Sequence, residues 1–260
     1  MTAAPTSALD RLNNVLARLL DPGQGCPWDL KQTPRSVKMY ILEETYELLD
    51  AVDAGSSEGV REELGDCLFL LLFMARIFPK DPDFTFDDVI NGAAQKLISR
   101  HPHVFGEGPS LADAEEVKGQ WARLKRQEKK GSILAGVPGN LPSLLRAHRL
   151  TERAGRCGFD WEGPEQVLSS LGAELEELKQ ALDREPERAE DELGDVFFTL
   201  VNLARHLKIN AEDSLRRAND RFEKRFQFIE GELEAQGVSL DDASLKRMDE
   251  LWAAAKKKGL

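Results

Sequence analysis

Cysteine, histidine and tyrosine are all in short supply in this 260-residue chain, and positive charge is outnumbered by negative. The three cysteines, Cys26, Cys67 and Cys157, are odd in number and far apart. That excludes a disulfide framework and a zinc-ligand pattern, and it fits a reducing cytoplasm. None of the four histidines, His101, His103, His148 and His206, stands at E-x-x-H spacing from an acid, which excludes a ferritin-like di-iron motif, and no Ser-His-Asp arrangement is supported. Lys and Arg total 35 against 46 Asp and Glu, a net charge of −11, so duplex nucleic acid and anionic membranes are poor general partners. An anionic substrate then requires metal ions or a local group of Lys and Arg. The most apolar run, 67–78, is too short to span a bilayer and contains Arg76, so it reads as a buried helix. Residues 1–10 lack the basic-then-apolar pattern of a signal peptide, and no G-x-x-x-x-G-K-[ST] phosphate loop occurs. Only two tyrosines accompany abundant Leu, Ala, Glu, Arg and Lys, a composition that favours helices.

What the chain has in quantity is acid, and the acid is patterned. Glu44 and Glu47, followed by Glu63 and Asp66, recur as Glu174 and Glu177, followed by Glu192 and Asp195, 129 or 130 positions later. Each set is E-x-x-E and then E-x-x-D. Residues three apart share a helix face, so two such helices packed antiparallel direct four carboxylates to one place. Carboxylates that close take up protons or hold a cation, and an oxygen-only group suits Mg²⁺ or Mn²⁺.

The repetition extends further. Cys26-Pro-Trp-Asp29 matches Cys157-Gly-Phe-Asp160; Ala93, Lys96 and Arg100 match Ala218, Arg221 and Arg225; Trp121 and Lys125 match Trp252 and Lys256. Order is kept throughout, which is the signature of an internal duplication. The expected division is 1–130, a Gly- and Pro-punctuated linker at 131–142, and 143–260. Helices are expected over 10–20, with Leu12, Val15, Leu16, Leu19 and Leu20 on one face, and from Pro34 to about Val52, with Ile41, Leu42, Thr45, Leu48, Leu49 and Val52 facing the core. Others are expected over 58–78, 87–100 and 114–129. The second half repeats the plan from Leu144, with its acidic helices at 164–183 and 186–207. His101 and His103 fall in a turn around Pro102.

An isolated E-x-x-E is usually a solvated face. Here Leu42, Leu48, Leu64 and Leu68 flank the first set and Leu175, Leu178, Leu193 and Val196 the second, so the acids border an apolar seam. Gly65 and Gly194 sit inside the acidic helices, where Gly costs about 1 kcal/mol relative to Ala; close helix approach or access to a metal would explain both. Glu43 and Glu62 widen the first acidic face to six side chains, enough for two metals or for one metal and a base for water. Asp191 matches Glu62, but Ala173 stands where Glu43 would be. The cations Lys96, Arg100, Lys125, Arg221, Arg225 and Lys256 could neutralise a polyphosphate, and Trp121 and Trp252 could stack on a base or cap a pocket; ordinary surface cations and core tryptophans are the competing explanation.

With E-E-x-x-E at Glu43, Glu44 and Glu47, E-L-G-D at Glu63 to Asp66, Cys-Pro-Trp-Asp, His101-Pro-His-Val-Phe105, the second E-L-G-D at Glu192 to Asp195 and the stretch 202–226, the chain resembles the MazG family of nucleoside triphosphate pyrophosphohydrolases in its two-repeat bacterial form. The resemblance implies an all-α fold of two tandem helical-bundle repeats, Mg²⁺ dependence (Mn²⁺ as an alternative), usually a homodimer, and hydrolysis between the α and β phosphates to a nucleoside monophosphate and pyrophosphate. By position it implies metal ligation by Glu44, Glu47, Glu63 and Asp66 and by Glu174, Glu177, Glu192 and Asp195. Arg221, Arg225, Trp252 and Lys256 are similar to the family's nucleotide-contacting residues, with Lys96, Arg100, Trp121 and Lys125 as their first-half counterparts. Glu43 or Glu47, and Glu177 in the second repeat, are the candidates for activating water. Ala173 departs from the doubled Glu, which sets the activity of the second repeat apart. Two other classes stay open: a catalytically silent helical dimer that binds nucleotide or Mg²⁺ and acts through a partner, and a helical scaffold whose acids are plain surface.

Overall fold

Proline, glycine and short polar residues set the helix ends. The computed structural model describes residues 7–78, 84–106, 108, 112, 113, 116, 117, 119–121, 124 and 131–260. Among these there is no β-strand. The chain divides into two units, Met1–Glu128 and Lys129–Leu260.

In the first unit, α1 (Ala8–Leu19) is opened by a capping box in which the Asp10 N–H donates to Ser7 Oγ and the Ser7 N–H donates to Asp10 Oδ2. Helix α2 (Pro34–Asp53) begins with Pro34 behind the Thr33 cap. It ends at Gly55, whose φ of +66° lets the chain reverse at once into α3 (Ser57–Ile77). The α2–α3 hairpin is the frame of this unit, with α1 and α4 (Phe86–Arg100) against α3. Leu16, Val37, Leu70, Leu72 and Phe73 form its core. The apolar run at 67–78, expected to be a buried helix, lies within or just beyond α3 but is buried on one side only: Leu70, Leu72, Phe73 and Ala75 are buried, Leu68, Leu71 and Phe78 exposed. His101-Pro-His-Val-Phe is not a plain turn: Pro102 takes the first position of a short helix, α5 (Pro102–Phe105). Most of the helix expected at 114–129, Lys125 included, lies outside the described residues; Trp121 is helical.

In the second unit, α6 (Ser143–Gly155) leads through a loop to α7 (Pro164–Arg184). A single 3₁₀ turn, Pro186–Arg188, then precedes α8 (Ala189–His206), so the expected 186–207 helix is divided at its start by Pro186. The remaining helices are α9 (Ala211–Ala235) and α10 (Leu245–Lys257). Helices α7 and α8 pair as α2 and α3 do, with α6 on α8. The α9–α10 pair has its own core of Ile229, Leu233 and Leu251. The turn-rich stretch 131–142 is tied to this unit by Arg153, which donates to the carbonyls of Ala135 at 2.6 Å, Gly136 at 3.3 Å and Ile133 at 3.4 Å.

The loop before α7 is fastened by charge. Asp160 accepts from both terminal nitrogens of Arg205, one at 2.8 Å, and lies 2.9 Å from His206 Nε2. A Cβ at position 155 would sit 2.6 Å from Asp160 Oδ2, so this approach requires Gly155. The matching arginine of the first unit, Arg76, bonds instead to Asn13 Oδ1, at 2.7 and 3.1 Å.

Some side chains expected in the core are outside it. Val15, Leu42, Leu49 and Val52 are exposed, as are Leu64, Leu68 and Leu71 of α3. In the second unit Leu175, Leu182, Leu193, Phe197 and Leu200 are likewise exposed. Periodicity locates an apolar arc on each helix, but the partner helix of the same unit covers only part of it. A Cβ at Gly65 or Gly194 would meet nothing within 4 Å, so close helix approach within the unit does not account for either glycine.

Candidate metal centre

The hairpins bring acids together at short range. In the first unit one oxygen each of Glu44, Glu63 and Asp66 lies within 4.8 Å of the others; in the second the same holds for Glu174, Glu177 and Glu192. The cause is local: E-x-x-E on one helix and E-x-x-D on the next repeat at i and i+3, and a short turn sets the two helices side by side. Three hard oxygen donors at that spacing match the ligand chemistry of Mg²⁺ or Mn²⁺.

Electrostatics agrees. Burial, then the charges of Glu47, Asp66 and Glu63, holds the Glu44 carboxyl above its ordinary range. Glu63 is raised by burial and by Glu47, while its hydrogen bond with Glu44 favours the ionised form of Glu63 and the protonated form of Glu44. Glu174 is raised by burial, then by Asp195, Glu177 and Glu192. The first group is an anionic centre without a cation paired to it among the described residues, the condition a divalent ion relieves; the second has Arg188 beside Glu192.

Three acids of each expected set of four lie within 4.8 Å of one another, and these triplets differ between the units. Glu47 perturbs both Glu44 and Glu63 but contributes no oxygen to the converging set. In the second unit Asp195 stands in that relation to Glu174, and Glu177 is inside. Glu43 is exposed and outside the triplet, so the six acids of the first hairpin do not all converge. Glu192 is only 4% exposed and pairs with Arg188, which also donates to Glu185 at 3.1 Å.

The first triplet borders a cavity of about 290 Å³. Glu44 and Asp66 line one side; Trp28, Tyr40, Phe69 and Phe73 supply aromatic walls. Trp28 and Tyr40 are a tilted pair with centroids 5.8 Å apart. Gln32 is also in the lining; its Nε2 donates to the Trp28 carbonyl at 3.2 Å, and its Oε1 accepts from Ser36 Oγ at 2.7 Å. Sequence reasoning passed over this wall. The signal was spacing, since Tyr40 lies one turn before Glu44 and Phe69 one turn after Asp66.

The basic and aromatic groups also form. Arg100 lies 5.9 Å from the Trp121 ring. Arg225 and Lys256 lie 5.4 and 6.0 Å from the Trp252 ring, Phe222 packs on the same indole at 5.3 Å, and Arg225 Nε donates to the Leu260 carbonyl at 2.7 Å. Lys96 and Arg221 are exposed. Among the described residues no hydrogen bond or ion pair links Arg221, Arg225 or Lys256 to Glu174, Glu177, Glu192 or Asp195. The acidic and basic groups of the second unit therefore sit on separate hairpins, α7–α8 and α9–α10.

Comparison with known proteins finds the same duplication. The family model for the MazG nucleotide pyrophosphohydrolase domain matches twice, over residues 32–105 and 162–227, and the chain belongs to that family. It is 40% identical over 250 residues to the nucleoside triphosphate pyrophosphohydrolase/pyrophosphatase MazG of Thermotoga maritima, covering 95% of each chain. It is 38% identical over 257 residues to the nucleoside triphosphate pyrophosphohydrolase of Escherichia coli K12, covering 96% of this chain and 97% of that one. The uncharacterized protein YabN of Bacillus subtilis is 40% identical over 249 residues, which are 94% of this chain and 50% of YabN. Both matched segments contain an entire acidic hairpin triplet; neither reaches Trp121, Trp252 or Lys256.

Proposed function

We propose that the protein hydrolyses nucleoside triphosphates between the α and β phosphates, releasing a nucleoside monophosphate and pyrophosphate. The observation that carries this reading is the convergence of three carboxylate oxygens within 4.8 Å in each unit of a chain from this family. Glu44, Glu63 and Asp66, and Glu174, Glu177 and Glu192, are the residues to hold Mg²⁺, or Mn²⁺ in its place. When bound, such an ion neutralises phosphate charge and makes water more acidic.

The chain's own groups do the rest. Glu47, beside the first triplet but outside it, takes a proton from the water whose oxygen forms the new bond to the α-phosphorus; the bond from that phosphorus to the bridging oxygen breaks, and pyrophosphate leaves with the electron pair. Asp195 occupies the same relation in the second unit, which moves the base role there from Glu177 to Asp195. Lys96 and Arg100, and Arg221, Arg225 and Lys256, are assigned to the phosphates, with Lys125 in that role by sequence match alone. Trp121 and Trp252 keep the stacking or capping role expected of them.

In the first unit the aromatic cavity beside Glu44 and Asp66 seats the nucleoside. The aromatic side chains that dominate this lining favour holding the base by stacking, which tolerates every base, and broad base use follows. A homodimer is supported by the leucine stripes left exposed on α2–α3 and α7–α8. The net charge of −11 argues against nucleic acid or membrane as partner, no helix of the described residues is long and apolar enough to cross a membrane, and three widely spaced cysteines suit the cytoplasm.

The test is pyrophosphate release from mixed nucleoside triphosphates with Mg²⁺, wild type against a Glu63→Gln plus Glu192→Gln variant. Release that survives in the double variant overturns the assignment of the site. A wild type that releases none, yet gains thermal stability with Mg²⁺, would be the silent binding protein instead.

A further inference from the structure

The second acidic hairpin brings a cation of its own. Arg188 closes the 3₁₀ turn before α8, and its guanidinium engages Glu192 Oε1 one helical turn later while donating to Glu185 at 3.1 Å. The Glu192 side chain is 6% exposed and that of Arg188 56%, so a solvent-facing guanidinium covers an otherwise buried carboxylate. Glu192 is also one of the three converging acids. A donor from Arg188 therefore already occupies an oxygen of that group.

The first hairpin has no such arrangement. The position matching Arg188, 129 earlier, is Gly59. A Cβ added there would stand 3.1 Å from Ser56 Oγ and 3.2 Å from Ala51 Cβ, so a side chain at this place would already crowd the turn. Glu63, which matches Glu192, has a hydrogen bond with Glu44 and none with a cation among the described residues.

We propose that Arg188 is a built-in competitor of the divalent ion, so that the two units load metal at different concentrations: the first at low free Mg²⁺, the second only once the ion displaces the guanidinium from Glu192. The proposal rests on the reading of both triplets as metal sites. A charge-assisted bond to a buried carboxylate is among the stronger polar contacts a protein makes, and giving it up lowers the apparent affinity of the second unit by about tenfold. The side chain that leaves is exposed and needs no repacking. Free Mg²⁺ would then set how many of the two units are active.

Binding of Mn²⁺ alone to the full chain, followed by calorimetry and by the loss of its free paramagnetic signal, tests this. Glu63→Gln silences the first unit and isolates the second; Glu192→Gln does the converse. The second unit should bind about tenfold more weakly than the first, and adding Arg188→Met to the Glu63→Gln chain should remove the difference. Arg188→Lys, which keeps a positive charge in place, should stay near the parent affinity. Glu185→Gln, which removes only the other partner of Arg188, should change nothing. An Arg188→Met chain that melts normally but binds Mn²⁺ no more tightly overturns the proposal; so does equal affinity of the two units. If wild type binds no Mn²⁺ at either triplet, the metal-site reading itself fails, and the competitor fails with it.

Discussion

The two acidic hairpins occupy matching sequence positions and yet converge different residues. The first gathers Glu44, Glu63 and Asp66 beside an aromatic cavity; the second gathers Glu174, Glu177 and Glu192 beside Arg188. Around them the divergence is larger. Tyr40, Leu70 and Phe73 of the first cavity correspond to Ser170, Thr199 and Asn202, and Thr199 and Asn202 are buried in the second unit. Trp28 corresponds to Phe159, which is 83% exposed. The four acids of each set keep their residue types in both units. Phe69 keeps an aromatic counterpart in Phe198, so the wall positions diverge in part: Tyr40, Leu70 and Phe73 give way to polar residues while two aromatic positions remain.

The sharpest way to break this comparison is to remove one acid from each unit. Glu63→Gln and Glu192→Gln should each lower turnover in their own unit by about 10²–10³-fold, the scale of losing a charge aimed at the reacting centre. At low free Mg²⁺ the Glu63 variant should lose nearly all pyrophosphate release and the Glu192 variant almost none. At high Mg²⁺ the Glu192 variant should show a deficit as well. Equal losses at every Mg²⁺ concentration would mean that the units act alike and that their different surroundings are without consequence.

Next in size is the fastening of the second unit. Hydrogen bonds from Arg205, then from His206, hold the Asp160 carboxyl below the usual carboxylate range, with burial opposing. A depressed folded-state pKa gives stability that is complete above the unfolded value, about 3.9, and is lost as pH falls through the folded one. Asp160→Asn should therefore cost about 2 kcal/mol at neutral pH and flatten the acid limb of stability below about pH 4. Asn13→Ala, which removes the neutral acceptor of Arg76 in the first unit, should cost under about 1 kcal/mol and leave the acid limb unchanged. Denaturant titrations across pH, with separate probes for the two units, check both.

Sequence alone located the acids and most helix ends, because those depend on local chemistry. Pro34 and Pro164 open their helices, and Gly55 turns the chain after α2. It could not say which three of four acids converge, since that depends on side-chain direction across a helix pair. It placed Leu42, Leu49 and Val52 inward because a period marks an apolar arc without marking what covers it. Pro102 suggests a turn in the sequence, although proline equally begins a helix, as it does here. The cavity was missed because its wall is assembled from a loop and two helices, each contributing a residue that alone looks like core.

That cavity gives the third comparison. Stacking of a base on an aromatic side chain is worth about 1–3 kcal/mol. Trp28→Ala should raise the KM of the first unit about tenfold, by a similar factor for purines and pyrimidines, with kcat little changed. Phe159→Ala, at the matching position, should leave the second unit unaffected. A Trp28 variant that loses one base selectively would show that the edge of the base is read after all.

The smallest effect concerns the paired glycines. Gly65 and Gly194 each stand inside an acidic helix, between a site glutamate and the following aspartate, and a Cβ at either place meets nothing within 4 Å. With no clash to offset it, the helix-propensity gain of alanine should prevail: Gly65→Ala and Gly194→Ala should each stabilise their own unit by about 0.5–1 kcal/mol. If the exposed leucines, rather than the glycines, meet a second copy of the chain, that gain should be the same at two protein concentrations about a hundredfold apart. A loss of stability that deepens on dilution would put the glycine itself against the partner helix. A gain accompanied by reduced Mn²⁺ affinity would instead make the open space above each glycine part of the path to the acids.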